Sequence, residues 1–180
     1  MRLSVIIPAY NEIDTIAEII ARVQAVNLTI TVWSGNARED KITLEREIVV
    51  VDDGSKDGTR EYLNTLRGAP EIQILFHQTN QGKGAAVRTG LEHATGDIML
   101  IQDADLEYDP RDYIELLRPI LEKRSQVVYG SRFRGGPTKA MFFWHMLGNR
   151  FLTTVTNVLY NTILRSEEHT SELQSRIPIS

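Results

Sequence analysis

Two aspartates separated by one residue, Asp103 and Asp105, carry the strongest chemical signal in this sequence. They follow the apolar run Ile98–Ile101, which indicates a buried strand, so both carboxylates leave that strand at its carboxyl end. Hard carboxylate oxygens suit Mg²⁺ or Mn²⁺, and Glu107 can complete such a set. The alternative is an acidic turn that caps the next helix.

A second acidic pair, Asp52 and Asp53, follows the β-branched run Ile48–Val51. A carboxylate at the end of a strand can accept hydrogen bonds from a base N–H or from ribose hydroxyls. The pair can instead form a local turn with Gly54 and Ser55. Both interpretations remain open from the residues alone.

Two positively charged residues, Lys83 and Arg132, follow other predicted strands. The segment Asn80–Gly84 has the glycines of a loop that can surround phosphate, with Lys83 among them, but it lacks the P-loop spacing. A plain glycine turn with a solvated Lys83 explains it equally well. Arg132 can clamp a phosphate through its planar guanidinium, or it can be an ordinary surface side chain.

The elements that position these residues alternate between strand and helix, which predicts an α/β fold with a mostly parallel sheet and helices on both faces. In such folds ligands bind outside the carboxyl ends of the strands, where the polar clusters lie. Asn11 is predicted to cap the first helix, and Asn27–Glu47 to be an irregular surface insertion. The predicted strands are Leu3–Ile7, Ile48–Val51, Ile72–Phe76, Ile98–Ile101 and Val127–Tyr129, and the predicted helices are 13–23, Thr59–Leu66, Ala85–Ala94, one opened by Asp109-Pro110, and Phe143–Ile163.

Composition excludes several classes of protein. The chain has 180 residues with 42% hydrophobic residues, which suits one globular domain and excludes a largely disordered chain. A net charge of −4 argues against nucleic acid as a partner. The absence of cysteine excludes disulfides and thiolate metal sites. No apolar run reaches the roughly 18 residues of a membrane-spanning helix, and no signal peptide is recognisable at the start.

Five stretches together resemble family 2 glycosyltransferases, which have the Rossmann-like GT-A fold of nucleotide-diphospho-sugar transferases. The resemblance is strongest to the branch typified by dolichyl-phosphate mannose synthase and covers residues 1 to about 164, in order. We therefore expect 1–164 to be a glycosyltransferase domain. The stretches are Val5–Glu12, Val50–Ser55, Asn80–Gly84, Asp103–Asp105 and Gly130–Arg132.

The resemblance implies a role for each site residue. Asp103, Ala104 and Asp105 would contact the diphosphate, with Asp105 and Glu107 holding the metal. Arg132 would meet the phosphates, so Asp105 and Arg132 are the expected catalytic residues. The helix from Trp144 to Asn161 would lie near the acceptor. The residues that would hold the nucleoside are Pro8, Tyr10, Glu12, Val51 and Asp53.

The implied reaction is an inverting transfer of a sugar from a nucleotide-diphosphate donor, GDP-mannose-like or a UDP-sugar, to a polyprenyl or dolichyl phosphate. Mg²⁺ or Mn²⁺ would neutralise the leaving group. A lipid acceptor implies peripheral contact with a membrane, at its cytoplasmic face. Two other classes stay open, a nucleotide-sugar-binding module without turnover and a metal-dependent phosphotransferase, although no spacing nominates an aspartyl nucleophile for the latter.

The segment Arg165–Ser175 resembles the in-frame translation of a sequencing-library adapter. We therefore expect 165–180 to be a non-native tail and 1–164 to be incomplete on the acceptor side. Such a chain would bind its donor but transfer sugar poorly, because catalysis needs both substrates held in line. The alternative is a polar, partly helical tail.

Overall fold

A four-stranded parallel sheet is the centre of the fold in the computed structural model, which describes residues 1–34 and 38–130. The strands are β1 Arg2–Ala9, β2 Thr29–Ser34, β3 Arg38–Thr43, β4 Glu45–Asp52, β5 Ile72–Phe76 and β6 Ile98–Ile101. The order of the parallel sheet is β5-β4-β1-β6, and a separate antiparallel hairpin pairs β2 with β3. The helices are α1 Ile16–Ala25, α2 Thr59–Thr65, α3 Lys83–His93 and α4 Tyr113–Leu121, with a 3₁₀ turn at Pro110–Asp112.

The central strand β1 is buried from Leu3 to Ala9 because both faces of the sheet are covered. Leu3, Val5 and Ile7 pack in one cluster with residues of α1, α2 and α4. Ile6 faces the other side, in a cluster with Ala86 of α3. The prediction of a mostly parallel sheet with helices on both faces is confirmed.

The polar region Asn27–Glu47 is not an irregular insertion, so that prediction is wrong. It forms the β2–β3 hairpin and the start of β4. Leu28, Ile30 and Val32 are buried at alternate positions, while Trp33 is exposed. This period of two is the pattern of a strand with one buried face, and the charges of β3 mask it in the sequence.

The predicted strand Val127–Tyr129 and the predicted helix cap at Asn11 are also wrong. Val127–Tyr129 pairs with no strand within the described part of the chain, and Val127 and Tyr129 are exposed. A β-branched residue favours a strand only where a neighbouring strand accepts its hydrogen bonds. Asn11 does not cap a helix, because α1 begins four residues beyond Glu12; Asn11 instead adopts a left-handed conformation with φ 55°.

The start of α4 follows its prediction. Pro110 opens the 3₁₀ turn, and the side chain of Asp109 accepts a hydrogen bond from the amide of Arg111 at 2.9 Å. The hydrogen bond from the Arg111 side chain also holds the pKa of Asp109 below its usual value. This cap fixes where α4 leaves the loop that carries Asp105.

Some predicted features lie outside the described residues: Arg132, the helix Phe143–Ile163 with its acceptor-side portion, and the tail 165–180. Among the helices of residues 1–34 and 38–130, none is long and apolar enough to cross a membrane.

Gly90 of α3 lies directly against the sheet, and a Cβ there would clash with Cγ2 of Ile6. We predict that Gly90→Ala destabilises the protein by about 1–3 kcal/mol, because the packed core must shift. The matched variant Gly84→Ala, in the same helix with open space around it, is neutral or gains up to about 1 kcal/mol. Urea unfolding of both variants checks this, and equal stabilities would contradict the packing account.

Candidate functional site

The loops that follow β1 and β4 are joined by hydrogen bonds at the carboxyl edge of the sheet. The amide of Asp53 donates to the carbonyl of Ala9 at 2.8 Å. The amide of Asn11 donates to Ser55 Oγ at 2.9 Å, and Asn11 Oδ1 accepts from the amide of Lys56 at 2.9 Å. These bonds hold Asn11 in its left-handed conformation and fix the two loops against each other.

The carboxylate of Asp53 joins the β4 loop to the loop before α3. Its side chain is buried and accepts from the amide of Gln81 at 2.9 Å and from the amide of Gly82 at 2.8 Å. His77 Nδ1 lies 2.6 Å from Asp53 Oδ1. The negative charge therefore stands at the amino end of α3, where helix dipoles favour it.

Asp52, the preceding residue, has a different role. Its carboxylate is fully buried, and it accepts hydrogen bonds from Nε of Arg60 at 2.7 Å and from the amide of Ser55 at 3.2 Å. Arg60 also donates to the carbonyl of His77 and lies over the ring of Phe76 at 5.1 Å. The turn interpretation is confirmed for Asp52, which stabilises the strand ends.

Gln102 anchors the loop after β6. It is buried, and its Nε2 donates to the carbonyls of Asp103 and Tyr108 at 3.0 and 3.2 Å. Its Oε1 accepts from the hydroxyl of Tyr113 at 2.8 Å. Leu106 takes a left-handed φ of 61°, and the chain turns there.

Asp103 pairs with Lys83, whose Nζ lies 2.8 Å from the carboxylate. Lys83 therefore does not extend freely into solvent, and it links the loop before α3 to the loop after β6. Asp105 and Glu107 are exposed, and Asp105 Oδ1 accepts from the amide of Glu107 at 3.1 Å. The three residues predicted to bind metal share one loop, but within residues 1–34 and 38–130 no three acidic or histidine side chains converge on one point.

The residues predicted to hold a nucleoside divide into buried and open positions. Pro8 and Val51 are neighbours in the β1–β4 register, and the side chain of Val51 is fully buried on the α3 side, so only its main chain could reach a ligand. Ala104, which is predicted to contact the diphosphate, is also buried. Tyr10 is 44% exposed at the end of β1, which leaves an aromatic face available for stacking. Glu12 accepts from the hydroxyl of Thr15 at 2.7 Å.

A cavity of about 540 Å³ lies at the opposite, amino edge of the sheet, and its lining includes Arg2, Arg46 and Glu71. The guanidinium of Arg46 already donates to the carbonyls of Gln24 and Val26. Arg2 is likewise bonded to Thr95 and Glu45. These charges serve the fold, so we assign no ligand to this cavity.

Sequence reasoning missed His77, Thr89, Gln102 and Tyr113. His77 and Gln102 are polar residues directly after apolar strands, and that position was the available signal. Thr89 and Tyr113 lie inside helices and carried no signal of their own.

The parallel sheet, with acidic and glycine-containing loops at its carboxyl edge, defines a GT-A glycosyltransferase fold. Over residues 4–176 the sequence matches the family model described as glycosyl transferase family 2, and the chain belongs to that family.

Curated relatives include a dolichol-phosphate mannosyltransferase of Pyrococcus furiosus, 32% identical over 148 residues, covering 82% of this chain and 38% of the relative. Another is a dolichyl-phosphate beta-glucosyltransferase, ALG5A, of Trichomonas vaginalis, 33% identical over 142 residues, covering 76% of this chain and 42% of the relative. The chain thus spans about two fifths of the length of these proteins.

Solved structures agree with the fold. The 1–349 segment of S. aureus TarS in complex with UDP matches with a TM-score of 0.51 and 27% identity, covering 79% of this chain and 39% of that one. Mannosyl-3-phosphoglycerate synthase of Rubrobacter xylanophilus matches with a TM-score of 0.50 and 27% identity, covering 68% and 36%. The predicted fold class and family are confirmed.

Removing the Tyr113 hydroxyl should loosen the loop of Asp103. Tyr113→Phe leaves the buried Oε1 of Gln102 without its donor, which costs about 1–3 kcal/mol of the free energy of unfolding. Urea unfolding at pH 7 measures this cost. Tyr129→Phe, at a tyrosine that is 68% exposed, is the comparison, and an equal effect in both variants would contradict the role of Gln102.

Alkaline pH offers a second check on Tyr113. Burial raises the pKa of its hydroxyl above the ordinary value of 10.0. In the unfolded chain the tyrosine ionises near its ordinary pKa, while in the native protein it stays protonated, so its stabilising contribution is full below about pH 10 and is lost as the pH rises further. The stability difference between wild type and Tyr113→Phe should therefore shrink above pH 10 in unfolding curves. A difference that stays constant to pH 11 would contradict the burial of this hydroxyl.

Proposed function

We propose that this chain binds the donor in a glycosyltransferase that moves a sugar from a nucleotide diphosphate to a polyprenyl or dolichyl phosphate. The proposal rests on contacts that connect the loops after β1, β4, β5 and β6 at one edge of the sheet. Among them, Asp53 is hydrogen-bonded to the loop of Lys83, and Lys83 is paired with Asp103. The names of the relatives support the lipid phosphate acceptor. The UDP complex of TarS supports a nucleotide at the same fold.

The exposed ring of Tyr10 is suited to stack on a base. The carboxylate of Asp53 is buried and bonded to the amides of Gln81 and Gly82, so it would shape the nucleoside site through that loop. Pro8 and Glu12 complete this side of the proposed nucleoside site, with Val51 taking part through its main chain.

The acidic side chains of the loop after β6 have the donor chemistry that a divalent cation requires. Mg²⁺ and Mn²⁺ take oxygen ligands, and magnesium in particular is usually held by one or two carboxylates together with substrate phosphates. The carboxylates of Asp103, Asp105 and Glu107 supply that chemistry without a complete protein cage. When bound, the cation would neutralise the charge that develops on the leaving diphosphate.

The proposed reaction is a displacement at the anomeric carbon. An oxygen of the acceptor phosphate attacks that carbon, the bond to the nucleoside diphosphate breaks, and its electron pair leaves with the diphosphate. A phosphate is already ionised near neutral pH, so no side chain must remove a proton. The ammonium of Lys83 and, as a proposal from the resemblance, the guanidinium of Arg132 stabilise the departing charge.

A polyprenyl phosphate lies in a bilayer, so this function places the enzyme at a membrane surface. We propose a peripheral contact at the cytoplasmic face, where nucleotide sugars are available. By the resemblance, the helix from Trp144 to Asn161, which lies outside the described residues, would lie near the acceptor.

Donor binding should depend on the metal. We predict that Mn²⁺ strengthens the binding of GDP or UDP to the wild-type chain, and that Asp105→Asn weakens metal-dependent binding at least on the order of tenfold. Isothermal titration calorimetry with each nucleotide, with and without Mn²⁺, measures both effects. Glu92→Gln, an exposed acidic residue of α3 away from the loops, should bind as wild type. Affinity that is unchanged by Mn²⁺ and by Asp105→Asn would refute the metal assignment.

The acceptor class can be tested by transfer. With GDP-mannose or a UDP-sugar as donor, we expect slow transfer of a radiolabelled sugar to a short polyprenyl phosphate, because residues 1–164 are expected to be incomplete on the acceptor side, and no transfer to a soluble sugar. Binding of nucleotide without any transfer during a prolonged incubation would favour a module that does not turn over. Transfer to a soluble sugar alone would contradict the lipid acceptor.

A further inference from the structure

His77 is a buried histidine to which the proposed reaction gives no role. It is 8% exposed and directly follows β5. Its Nδ1 lies 2.6 Å from Asp53 Oδ1, and its Nε2 lies 2.9 Å from Thr89 Oγ1 on α3. The imidazole therefore bridges the end of β4 and the middle of α3.

The two partners of His77 determine which ring nitrogen donates a hydrogen bond and which accepts one. An ionised carboxylate only accepts hydrogen bonds, so Nδ1 of His77 must carry a proton and donate to Asp53. In the neutral ring Nε2 then accepts from the hydroxyl of Thr89. Each nitrogen is satisfied by one fixed partner, and a ring held at both ends has a single orientation.

The same carboxylate holds the loop before α3. Asp53 accepts from the amides of Gln81 and Gly82, and the next residue, Lys83, pairs with Asp103. Losing the donor from His77 leaves a buried charge with one fewer partner. The buried position of the carboxylate then becomes less favourable than a position nearer to solvent. The two amides, and with them Lys83, would then lose their fixed position.

We propose that His77 is a positioning residue for the donor site. It orients the carboxylate of Asp53, and Asp53 in turn sets the loop from Gln81 to Lys83 so that the ammonium of Lys83 meets the acidic loop of Asp103. This proposal rests on the proposed function, because it assigns the consequence of that order to donor binding. His77 itself does not touch the donor.

Hydrogen exchange of the amides of Gln81 and Gly82, followed by NMR in the 180-residue chain without nucleotide, tests the first step. His77→Phe keeps a planar ring and removes both nitrogens. We expect it to accelerate exchange at these two amides at least about tenfold, while amides of β1 such as that of Ile6 keep their protection. His77→Asn retains an N–H near the place of Nδ1 and should restore most of the protection.

Thr89→Val removes the second partner without changing side-chain shape, and it should accelerate the same two amides to a smaller degree. His93→Phe is the matched control, since His93 is exposed on α3 and its Nδ1 lies 2.8 Å from the main-chain carbonyl of Thr89, away from Asp53. Should His77→Phe fail to fold, Thr89→Val carries the test. Unchanged exchange at Gln81 and Gly82 in His77→Phe, or in Thr89→Val where His77→Phe does not fold, overturns the proposal, as does acceleration that is uniform across the sheet.

Nucleotide affinity tests the second step. With GDP or UDP and Mn²⁺ in calorimetry, His77→Phe should bind about tenfold more weakly and His77→Asn close to wild type. A wild-type chain that binds neither nucleotide refutes the proposed function and leaves the exchange result standing. A wild-type chain that binds, with an unchanged dissociation constant in His77→Phe, refutes the positioning role alone.

Discussion

The buried carboxylate of Asp53 is the interaction on which the arrangement of the site depends. A negative charge removed from water is stable only if hydrogen bonds surround it, and here two backbone amides and one imidazole supply them. The strand pairing decides its place, because the amide of Asp53 is bonded to Ala9 and the amide of His77 to Asp52. The sheet therefore positions the carboxylate, and the carboxylate positions the loop.

Two adjacent aspartates have separate roles because successive residues at the end of a strand face opposite sides. Asp52 pairs with Arg60 on the side of α2. Asp53 faces α3 and its loop. The first stabilises the fold, and the second links the fold to the candidate site.

The sequence was sufficient for the parallel sheet. The run Ile48–Val51 is apolar throughout and buried, as a strand covered on both faces must be. The edge strands Ile72–Phe76 and Ile98–Ile101 have the predicted bounds, although both are partly exposed. It was insufficient for the β2–β3 hairpin, where one buried face alternates with charged residues. Hydrophobic pattern also cannot say whether a polar residue bonds to a ligand or to the protein, which is why Asp52 stayed ambiguous.

Contacts between loops were the other missing part. The pairing of Lys83 with Asp103 joins residues twenty positions apart, and the bond of Asp53 to Gly82 joins residues twenty-nine apart. No local pattern encodes such a distance. The strand order brings these residues together, so the polar clusters could be placed at one edge but not connected.

The central claim is that a nucleotide binds at the carboxyl edge of the sheet. Titration of ¹⁵N-labelled protein with GDP or UDP in the presence of Mg²⁺, followed by amide chemical shifts, tests it most directly. The account predicts that shifts concentrate in the loops 10–12, 53–56, 80–84 and 103–107. Shifts concentrated around Arg2, Arg46 and Glu71 at the opposite edge, or no shifts with either nucleotide, would contradict it.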